Sequence, residues 1–553
     1  MGRTLKFRVP KQVLRRPQAL VTSDRAATLP LLFDIRKETN LYEPETPPPG
    51  VFRVLEKFGR PSTSLLHIPR NLQPDPFTYF CTENSADESY VTEPRLSVTK
   101  LLTDAWCELQ LFYDVYAGSH RKQLTGRLAE GISYHDKLES EEHEVADMSA
   151  TVEKLGEVAA SHTKEDALYL GRNESSAAWC KNMAEHAIKR GISLAHTRHS
   201  RELMVHGYID LETGKLIEKT EDLHKGVLVN GIADIVQFEP KDKATDLPEV
   251  ASDTTEAPEL RSITLASPVL DLKREIPEAK RELQRDIDQK MLQIIDVKTR
   301  GVKSLPKPVS QLKAAKIQCM YYTRFIHNLA KDVDFAYASY QENAKRRNID
   351  ADSDIGEAHA AILLLENFEA LALDFIRLAK GETIGFESHD AVMKEKYREV
   401  DAEKVNYSFS RFIPEEEFKD LLAKVYGDKL ASSSVDISAL FKPWRYPLTP
   451  RYFMARAAQI LNTLERYRSA TVGVDYHHAK SSTFIGSKVY PYSVKEHNKA
   501  MRDAANFWTG KRLPREADLK FKCQNCEFKS RCPAVNKPSK ESIGALIYHD
   551  LLD

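Results

Sequence analysis

Two charged side chains that follow a short apolar run could form part of a metal-dependent phosphodiesterase site. Asp296 and Lys298 come directly after Ile294 and Ile295 and are separated by one residue. In an extended strand alternate side chains project from one face, so the carboxylate and the ammonium would lie together. The acid could hold a divalent cation, and the lysine could steady an attacking water or the charge developing on a phosphate. Alone, such a pair would more often be a solvated surface pair, because Asp-x-Lys is common on strands.

A second acid lies upstream, in a run that is typical of a buried strand. Residues 227–236 are apolar apart from Asn230, Gly231 and Asp234. A carboxylate in such a run is costly unless it is paired or bound to a cation. Two strands could therefore bring Asp234 and Asp296 onto one ion, with the oxygen ligands that Mg²⁺ prefers.

Helical stretches flank the two strands on the chain. Downstream, residues 311–329 have helical character, and Gln318 and Tyr322 are spaced to share one side. Upstream, Gly131 and His135 lie in a predicted helix, and the histidine could supply a further metal ligand or contact a phosphate. An ordinary helix residue is the alternative for this histidine. The order is a helix with His, a strand with Asp, a strand with Asp-x-Lys and a helix with Gln-x-x-x-Tyr.

This order resembles the RecB-type branch of the PD-(D/E)XK nuclease superfamily, and the segments 231–234 (GIAD) and 296–300 (DVKTR) are similar to those of the exonuclease V family. The resemblance covers about residues 95–535. It implies an α/β restriction-endonuclease-like core, in which a mixed sheet is flanked by helices, with helical additions and an iron-sulfur-stapled C-terminus. It also implies a metal-dependent exonuclease that hydrolyses single-stranded DNA, in mitochondrial DNA replication, repair or recombination.

The resemblance implies a set of metal ligands. Asp234, Asp296 and the backbone carbonyl of Val297 would hold Mg²⁺ or Mn²⁺, with His135 as a further ligand. Glu202 resembles a position that many RecB-type nucleases fill with an acid near the metal, and an edge-strand glutamate is the alternative.

The remaining site residues would act on the lysine and on the DNA. Lys298 would position the attacking hydroxide, and Gln318 and Tyr322 resemble the motif that orients the lysine and the substrate strand. Trp508 or Tyr322 could stack an unpaired base, and each could equally be packed in the core. The candidates for contacts with the phosphate backbone are Thr299, Arg300 and Lys303.

Three of the seven cysteines crowd together near the C-terminus, as Cys523, Cys526 and Cys532. Three thiols need a fourth ligand to complete a tetrahedral zinc site or a cubane iron-sulfur cluster, and the spacing alone favours zinc. Exonuclease V and AddB-type nucleases close their domain with one early cysteine and a late C-x2-C-x5-C triplet. The resemblance therefore implies a 4Fe-4S cluster with Cys107 as the fourth ligand, beside the apolar stripe of a helix predicted over 101–116.

Composition limits the function classes. The chain has 553 residues, of which 42% are hydrophobic and 29% charged, and its formal net charge is -1. This charge gives no overall attraction to nucleic acid, so DNA binding requires a local basic channel. No apolar stretch reaches membrane-spanning length, and no Walker A motif supports a helicase-nuclease. We expect a monomer without membrane contact, whose partner is single-stranded DNA and for which a single-strand DNA-binding protein is a candidate further partner.

The chain divides into segments of different character. Residues 1–25 are basic and nearly free of acids, which is typical of a mitochondrial transit segment, with a disordered basic tail as the alternative. Residues 26–92 are predicted to be an N-terminal extension. The nuclease domain is predicted over 93–536, with a flexible insertion at 239–289 that ends in a mixed-charge helical piece, and residues 537–553 are predicted to be a tail.

Two strands are predicted near the end of the domain. Residues 470–492 alternate in the manner of two strands, and His477 and His478 near the turn are predicted to be surface residues outside the site.

The alternative to a nuclease is a non-catalytic iron-sulfur or zinc protein that binds single-stranded DNA.

Overall fold

The computed structural model describes residues 75–85, 95–117, 131–138, 174–241, 252–254, 269–401, 405–427 and 435–535, apart from residues 132, 136, 308, 525, 531 and 533. The predicted transit segment, most of the predicted extension and the predicted tail lie outside these ranges. No helix within them is long and apolar enough to cross a membrane.

An eight-stranded sheet forms the centre of the molecule, with the order β3-β2-β4-β6-β7-β8-β5 and β1 paired to β4 off this path. Two strand pairs, β1 with β4 and β6 with β7, are parallel, and the others are antiparallel. The predicted mixed α/β nuclease fold is confirmed. The strands are β1 Arg95–Ser97, β2 His199–Asp210, β3 Lys215–Leu216, β4 Val227–Pro240, β5 Ser252–Thr254, β6 Lys290–Arg300, β7 Thr471–His478 and β8 Phe484–Pro491.

Helices cover the sheet. The long helix α7 (Val309–Ala330) crosses β2, β6 and β7. It carries apolar residues on nearly all sides, and most of its length is buried. A π-helical segment, Ala184–Lys189, joins α4 to α5. The helices are α1 Pro76–Ser85, α2 Val98–Leu101, α3 Glu108–Ala117, α4 Glu174–Met183, α5 Arg190–Thr197, α6 Leu272–Asp286, α7 Val309–Ala330, α8 Val333–Lys345, α9 Glu357–Glu366, α10 Phe368–Lys380, α11 Glu387–Lys396, α12 Glu415–Tyr426, α13 Pro450–Asn462 and α14 Val494–Trp508.

The helical addition α8–α13 lies between α7 and β7 in the chain and has a buried ion pair of its own. Arg456 donates from two nitrogens to the two oxygens of Asp374, at 2.6 and 2.7 Å, and both side chains are fully buried. The Tyr452 hydroxyl and the Arg377 guanidinium also donate to Asp374. The buried carboxylate is therefore satisfied by several donors, and we assign this network a structural role.

The single helix predicted over 101–116 is wrong, because the chain leaves helical geometry between α2 and α3. The Thr103 hydroxyl donates to Glu108 at 2.8 Å, and Glu108 also accepts two hydrogen bonds from Arg512. These contacts favour a turn over a continuous helix. Cys107 consequently lies just before α3 and does not lie on a helical face.

The bounds predicted for the flexible insertion, 239–289, are wrong at both ends, because they include residues of β4 and of α6. β4 continues to Pro240, and α6 packs its apolar stripe, Leu272, Ile276 and Leu283, into the core. Residues 242–251 and 255–268 lie outside the described ranges.

Candidate active site

The candidate site lies where one edge of β4 changes partner. On this edge residues 228–230 pair with β1, and the ladder to β6 begins at Ile235 and Ile295. One step before that ladder, the register places Asp234 opposite Asp296. On the other edge of β4 the same counting places Glu202 of β2 opposite Asp234. Three carboxylates from three neighbouring strands therefore align across the sheet.

Asp234 is held by the backbone of the neighbouring strand. Its Oδ2 accepts the N–H of Val297 at 2.7 Å, which takes the place of a ladder hydrogen bond. Burial raises the pKa of Asp234, and the charge of Glu202 adds to that effect, whereas Lys298 opposes it. Burial also raises the pKa of Asp296 to about 6, with a contribution from Asp234. Two adjacent, poorly hydrated carboxylates of this kind favour a nearby cation.

Lys298 is the cation that the chain itself supplies. Its Nζ lies 3.0 Å from Oδ1 and 2.8 Å from Oδ2 of Asp296, and it donates to Oε1 of Gln318 at 3.1 Å. The Gln318 amide in turn donates to the Tyr322 hydroxyl at 3.0 Å. Burial lowers the pKa of Lys298, but Asp296 and Asp234 outweigh it, so the pKa is raised. The lysine is thus protonated at neutral pH and acts as a donor.

Gly231 explains why the motif on β4 begins with a glycine. A Cβ at this position would lie 2.4 Å from Cε1 of Tyr322 on α7. The absence of a side chain lets α7 approach β4 closely enough for Tyr322 to support Gln318. A larger residue would push Tyr322 away.

His135 and Glu202 lie at the same site. The charges of Glu202, Asp296, Lys298 and Arg201 all act on His135, and burial, as the largest effect, lowers its pKa. The imidazole is therefore neutral and can act as a ligand or an acceptor. Glu202 has a φ of 50°, which turns its backbone out of regular β geometry at the strand position opposite Asp234.

His186, a residue that was not predicted from the sequence, contacts Glu202. His186 lies on the π-helical segment, and its Nδ1 is 3.2 Å from the Glu202 carbonyl oxygen and 3.8 Å from Oε2. π-Helical insertions are frequent at functional sites. No motif in the sequence marks this histidine, because its role depends on the helix irregularity.

The prediction that His477 is a surface residue is wrong. Its side chain is buried, and Nδ1 lies 2.5 Å from the hydroxyl of Tyr134, which precedes His135. Tyr134 also packs against Ile295 and Val297 of β6. These contacts attach the His135 helix to the sheet beside the site.

Asp475 was also missed, although it carries the signal that revealed Asp234, a lone acid in a buried strand. It accepts a hydrogen bond from Ser487 and lies opposite Val297 in the register of β6 and β7. Burial raises the pKa of Asp475 to about 6. Its register position places it on the sheet face that also bears Val297.

The proposed phosphate contacts and the proposed stacking residues differ in their surroundings. Thr299 and Arg300 are half-buried at the end of β6, and Lys303 is exposed in the loop that follows. Trp508 is fully buried, and its indole donates to the Lys100 carbonyl at 3.1 Å, so the prediction that it contacts DNA is wrong. Tyr322 is also buried, and its hydroxyl is engaged by Gln318, so it cannot stack a base.

Four cysteine thiols, those of Cys107, Cys523, Cys526 and Cys532, interact electrostatically with one another near the start of α3. Burial raises the pKa of Cys107 and of Cys526, and each thiol is also affected by the charges of Cys523 and Cys532. Their sulfur donors suit a soft metal or an iron-sulfur cluster. Within the described ranges, no group of three or more His, Cys, Asp or Glu side chains has the arrangement of a metal site, and this includes the four thiols.

An ion pair joins the same two parts of the chain independently of the thiols. Glu108, which follows Cys107, is 1% exposed and accepts from Arg512 at 2.6 and 2.7 Å. The Arg515 backbone N–H also donates to Glu108, and its carbonyl accepts the N–H of Leu109. The segment that leads into the late cysteines is thereby fixed against α3.

Comparisons with known proteins give one family. The model of a family described as exonuclease V, a 5′ deoxyribonuclease, matches residues 89–533. A protein of Clavispora lusitaniae named "Exonuclease V, mitochondrial" is 38% identical over 510 residues, which is 92% of this chain and 98% of the relative. A protein with the same name in Candida albicans is 33% identical over 84% of this chain and 77% of its own length. Another in Debaryomyces hansenii is 32% identical over 88% of this chain and 82% of its own length.

Proposed function

The chain belongs to the exonuclease V family, and from that premise we propose that it is a metal-dependent exonuclease that hydrolyses single-stranded DNA from the 5′ end. The family description supports the polarity, and the relatives named above are mitochondrial proteins, which places this chain in the mitochondrion. The observation that carries the proposal is the contact of Lys298 with Asp296 beside Asp234, at the break in the ladder of β4.

The metal would be held by oxygen ligands. Asp234, Asp296 and the Val297 carbonyl, with His135 and Glu202 as further ligands, suit Mg²⁺ or Mn²⁺. The buried, mutually repelling carboxylates fit such an ion, because a divalent charge offsets the cost of burying them. When bound, the ion would polarise the scissile phosphate and lower the pKa of a bound water.

The residues of the chain then act on the phosphate. Lys298, held by Asp296 and Gln318, donates to the attacking oxygen or to the phosphate, where negative charge develops. Tyr322 holds Gln318, so it positions the lysine without touching DNA. Thr299, Arg300 and Lys303 would contact the DNA backbone as it enters.

The four thiols would hold a 4Fe-4S cluster with a structural role. Cys107, Cys523, Cys526 and Cys532 would join the start of α3 to the C-terminal loop, next to the Glu108 ion pair. A zinc ion is the alternative occupant for the same donors. Because metal binding energy is folding energy in such domains, loss of the cluster should weaken DNA binding as well as cleavage.

The test of this function is cleavage of an internally labelled DNA strand with either end blocked. With Mg²⁺, a single strand with a free 5′ end should be digested, a strand with a blocked 5′ end should persist, and a fully paired blunt duplex should be digested much more slowly. Digestion that proceeds only from the 3′ end, or equal digestion of the duplex, would overturn the proposed polarity or the proposed strand preference.

A further inference from the structure

Two exposed aromatic rings lie beside the candidate cluster. Trp106 precedes Cys107 and is 41% exposed, and Phe521 precedes Cys523 by two residues and is 46% exposed. Their ring centroids are 6.2 Å apart, and the rings are nearly perpendicular. The tryptophans at 179, 444 and 508 are buried, so Trp106 is the exception. Exposed aromatic pairs of this kind mark binding surfaces more often than scattered apolar residues do.

The ring pair is fixed to the helix that carries part of the active site. The buried amino group of Lys522 donates to the Trp106 carbonyl at 3.2 Å and to the Ser310 hydroxyl at 2.6 Å, and it forms an ion pair with Asp518. The same amino group lies 5.5 Å from the centre of the Trp106 ring. Ser310 lies in the first turn of α7. The rings therefore need little ordering when they bind a ligand.

The distance to the active site suits a single strand of DNA. Ser310 and Gln318 are eight residues apart on α7, which corresponds to about 12 Å along the helix. Residues 301–307, which form a loop after β6, lead from Lys298 towards this end of the helix. A strand that lies on the rings could thus reach the candidate site within a few nucleotides.

The chain segment along this path is basic, and two acids from other segments, Asp518 and Asp104, pair with Lys522 and Lys313. Residues 297–331 contain no Asp or Glu. Lys303 and Lys307 are exposed in the loop, and Lys520 is exposed beside Phe521. Among the described acidic side chains, none forms an ion pair with these three lysines. Aromatic rings interleaved with such lysines are the composition of surfaces that bind single-stranded nucleic acid.

We propose that Trp106 and Phe521 form a base-stacking platform for an unpaired nucleotide of the DNA strand, whose backbone follows Lys307 and Lys303 to Lys298. The platform rests on the nuclease function proposed above and names the part of the enzyme that contacts a base away from the scissile phosphate. A base inside a duplex is stacked on both faces by its neighbours and has no free face for the rings, so the platform contributes to a preference for single strands.

The experiment measures DNA affinity for the full-length, cluster-containing protein in chelator, where the DNA stays uncut. Two labelled oligomers of equal length are compared, oligothymidylate and an abasic deoxyribose-phosphate chain. Phe521→Leu and Trp106→Leu should weaken oligothymidylate binding about 5-fold to 150-fold each. They should leave binding of the abasic chain unchanged. The matched control is Leu513→Ala, which removes an exposed apolar side chain from the same segment.

Iron content and visible absorbance establish that each variant retains its cluster. If Trp106→Leu loses the cluster, the test rests on Phe521→Leu alone. The Phe521 ring is not adjacent to a candidate ligand, and about half of it faces solvent. Unchanged affinity for oligothymidylate would overturn the platform and leave the rings as a surface for a protein partner. An equal loss for both oligomers would also overturn it, since backbone contacts or folding would then be responsible.

A cleavage experiment separates this proposal from the proposed function. A single abasic position is moved along a single strand, and the rate of cleavage by the wild-type protein should fall at one fixed distance from the scissile bond. In Phe521→Leu this dependence on position should disappear. If the wild-type protein does not cleave single strands, the proposed function fails. If it cleaves them without such a dependence, only the platform fails.

Discussion

The Asp234 carboxylate accepts the backbone N–H of Val297 at 2.7 Å, one step before the ladder between β4 and β6 begins. A side chain thus replaces a main-chain partner where the two strands separate. The bond fixes the carboxylate beside Asp296 and orients the Val297 peptide. The same residue therefore serves the fold and the candidate metal site, and the two roles can be separated by substitution.

Asp234→Asn should reduce DNA cleavage by about 100-fold or more, because the amide lacks the negative charge that would bind the metal. The melting temperature should not fall, since an amide oxygen can still accept the Val297 N–H and no charge is buried. Cleavage assays and thermal unfolding in chelator measure the two effects. A large loss of stability with retained activity would mean that Asp234 is only structural.

Gly231→Ala should lower the rate of cleavage about 10-fold to 100-fold with the protein still folded, because the added Cβ would lie 2.4 Å from Tyr322. Tyr322 must move, and Gln318 then loses its partner. Tyr322→Phe is the companion variant, since it removes only the hydroxyl and should have a smaller effect. Equal activity of Gly231→Ala and the wild-type protein would show that Gln318 holds the lysine without Tyr322.

Much of the site could be predicted from the sequence because its signals are local. Asp296 and Lys298 share a strand face, and Asp234 is a lone acid in an apolar run, so periodicity and burial cost predict that these side chains meet, whereas their proposed roles come from the family resemblance. The two strands expected within 470–492 are confirmed as β7 and β8 for the same reason. The family resemblance, and with it the nuclease class, followed from the order of these segments.

The remaining features depend on tertiary contacts that a sequence does not display. The sequence does not show that Trp508 is buried, because its burial depends on the packing of α14, which places the ring against Phe77 and Phe80. His477 reads as half of a surface histidine pair, and its burial depends on Tyr134, more than 300 residues earlier. The turn before Cys107 likewise depends on Arg512, a partner from the far end of the domain.

Cys107→Ala and Cys523→Ala should each lose the brown colour and the bound iron, because both thiols are proposed ligands of one cluster. Both variants should also unfold at a lower temperature and bind DNA more weakly. Cys81→Ala is the control and should retain its iron. Iron loss in Cys523→Ala alone would mean that Cys107 is not the fourth ligand, and bound zinc in place of iron would exclude the cluster.

His497 should make the protein sensitive to acid. Burial lowers its pKa to about 3, so the folded state holds the neutral imidazole, whereas the unfolded state binds a proton below about pH 6.5. The contribution of this imidazole to stability is therefore present in full above pH 6.5 and is lost as the pH falls towards 3. His497 contributes a loss on the order of 2 kcal/mol between pH 7 and pH 5.

His497→Phe should remove that share of the acid sensitivity and keep the edge contact with Tyr321. Denaturant unfolding at pH 7 and pH 5 measures the difference between the variant and the wild-type protein. An identical loss of stability in both proteins would show that His497 is not the responsible group.

The most direct test of the proposed active site is cleavage of a single strand of end-labelled DNA by the wild-type protein and by Lys298→Ala, each with Mg²⁺ and with chelator. The control is Lys424→Ala, which removes an exposed lysine of α12. We predict metal-dependent cleavage by the wild-type protein and by the control, and a loss of cleavage of about 100-fold or more in Lys298→Ala, measured at saturating DNA. Full activity of Lys298→Ala, or cleavage that persists in chelator, would contradict the assignment of this site.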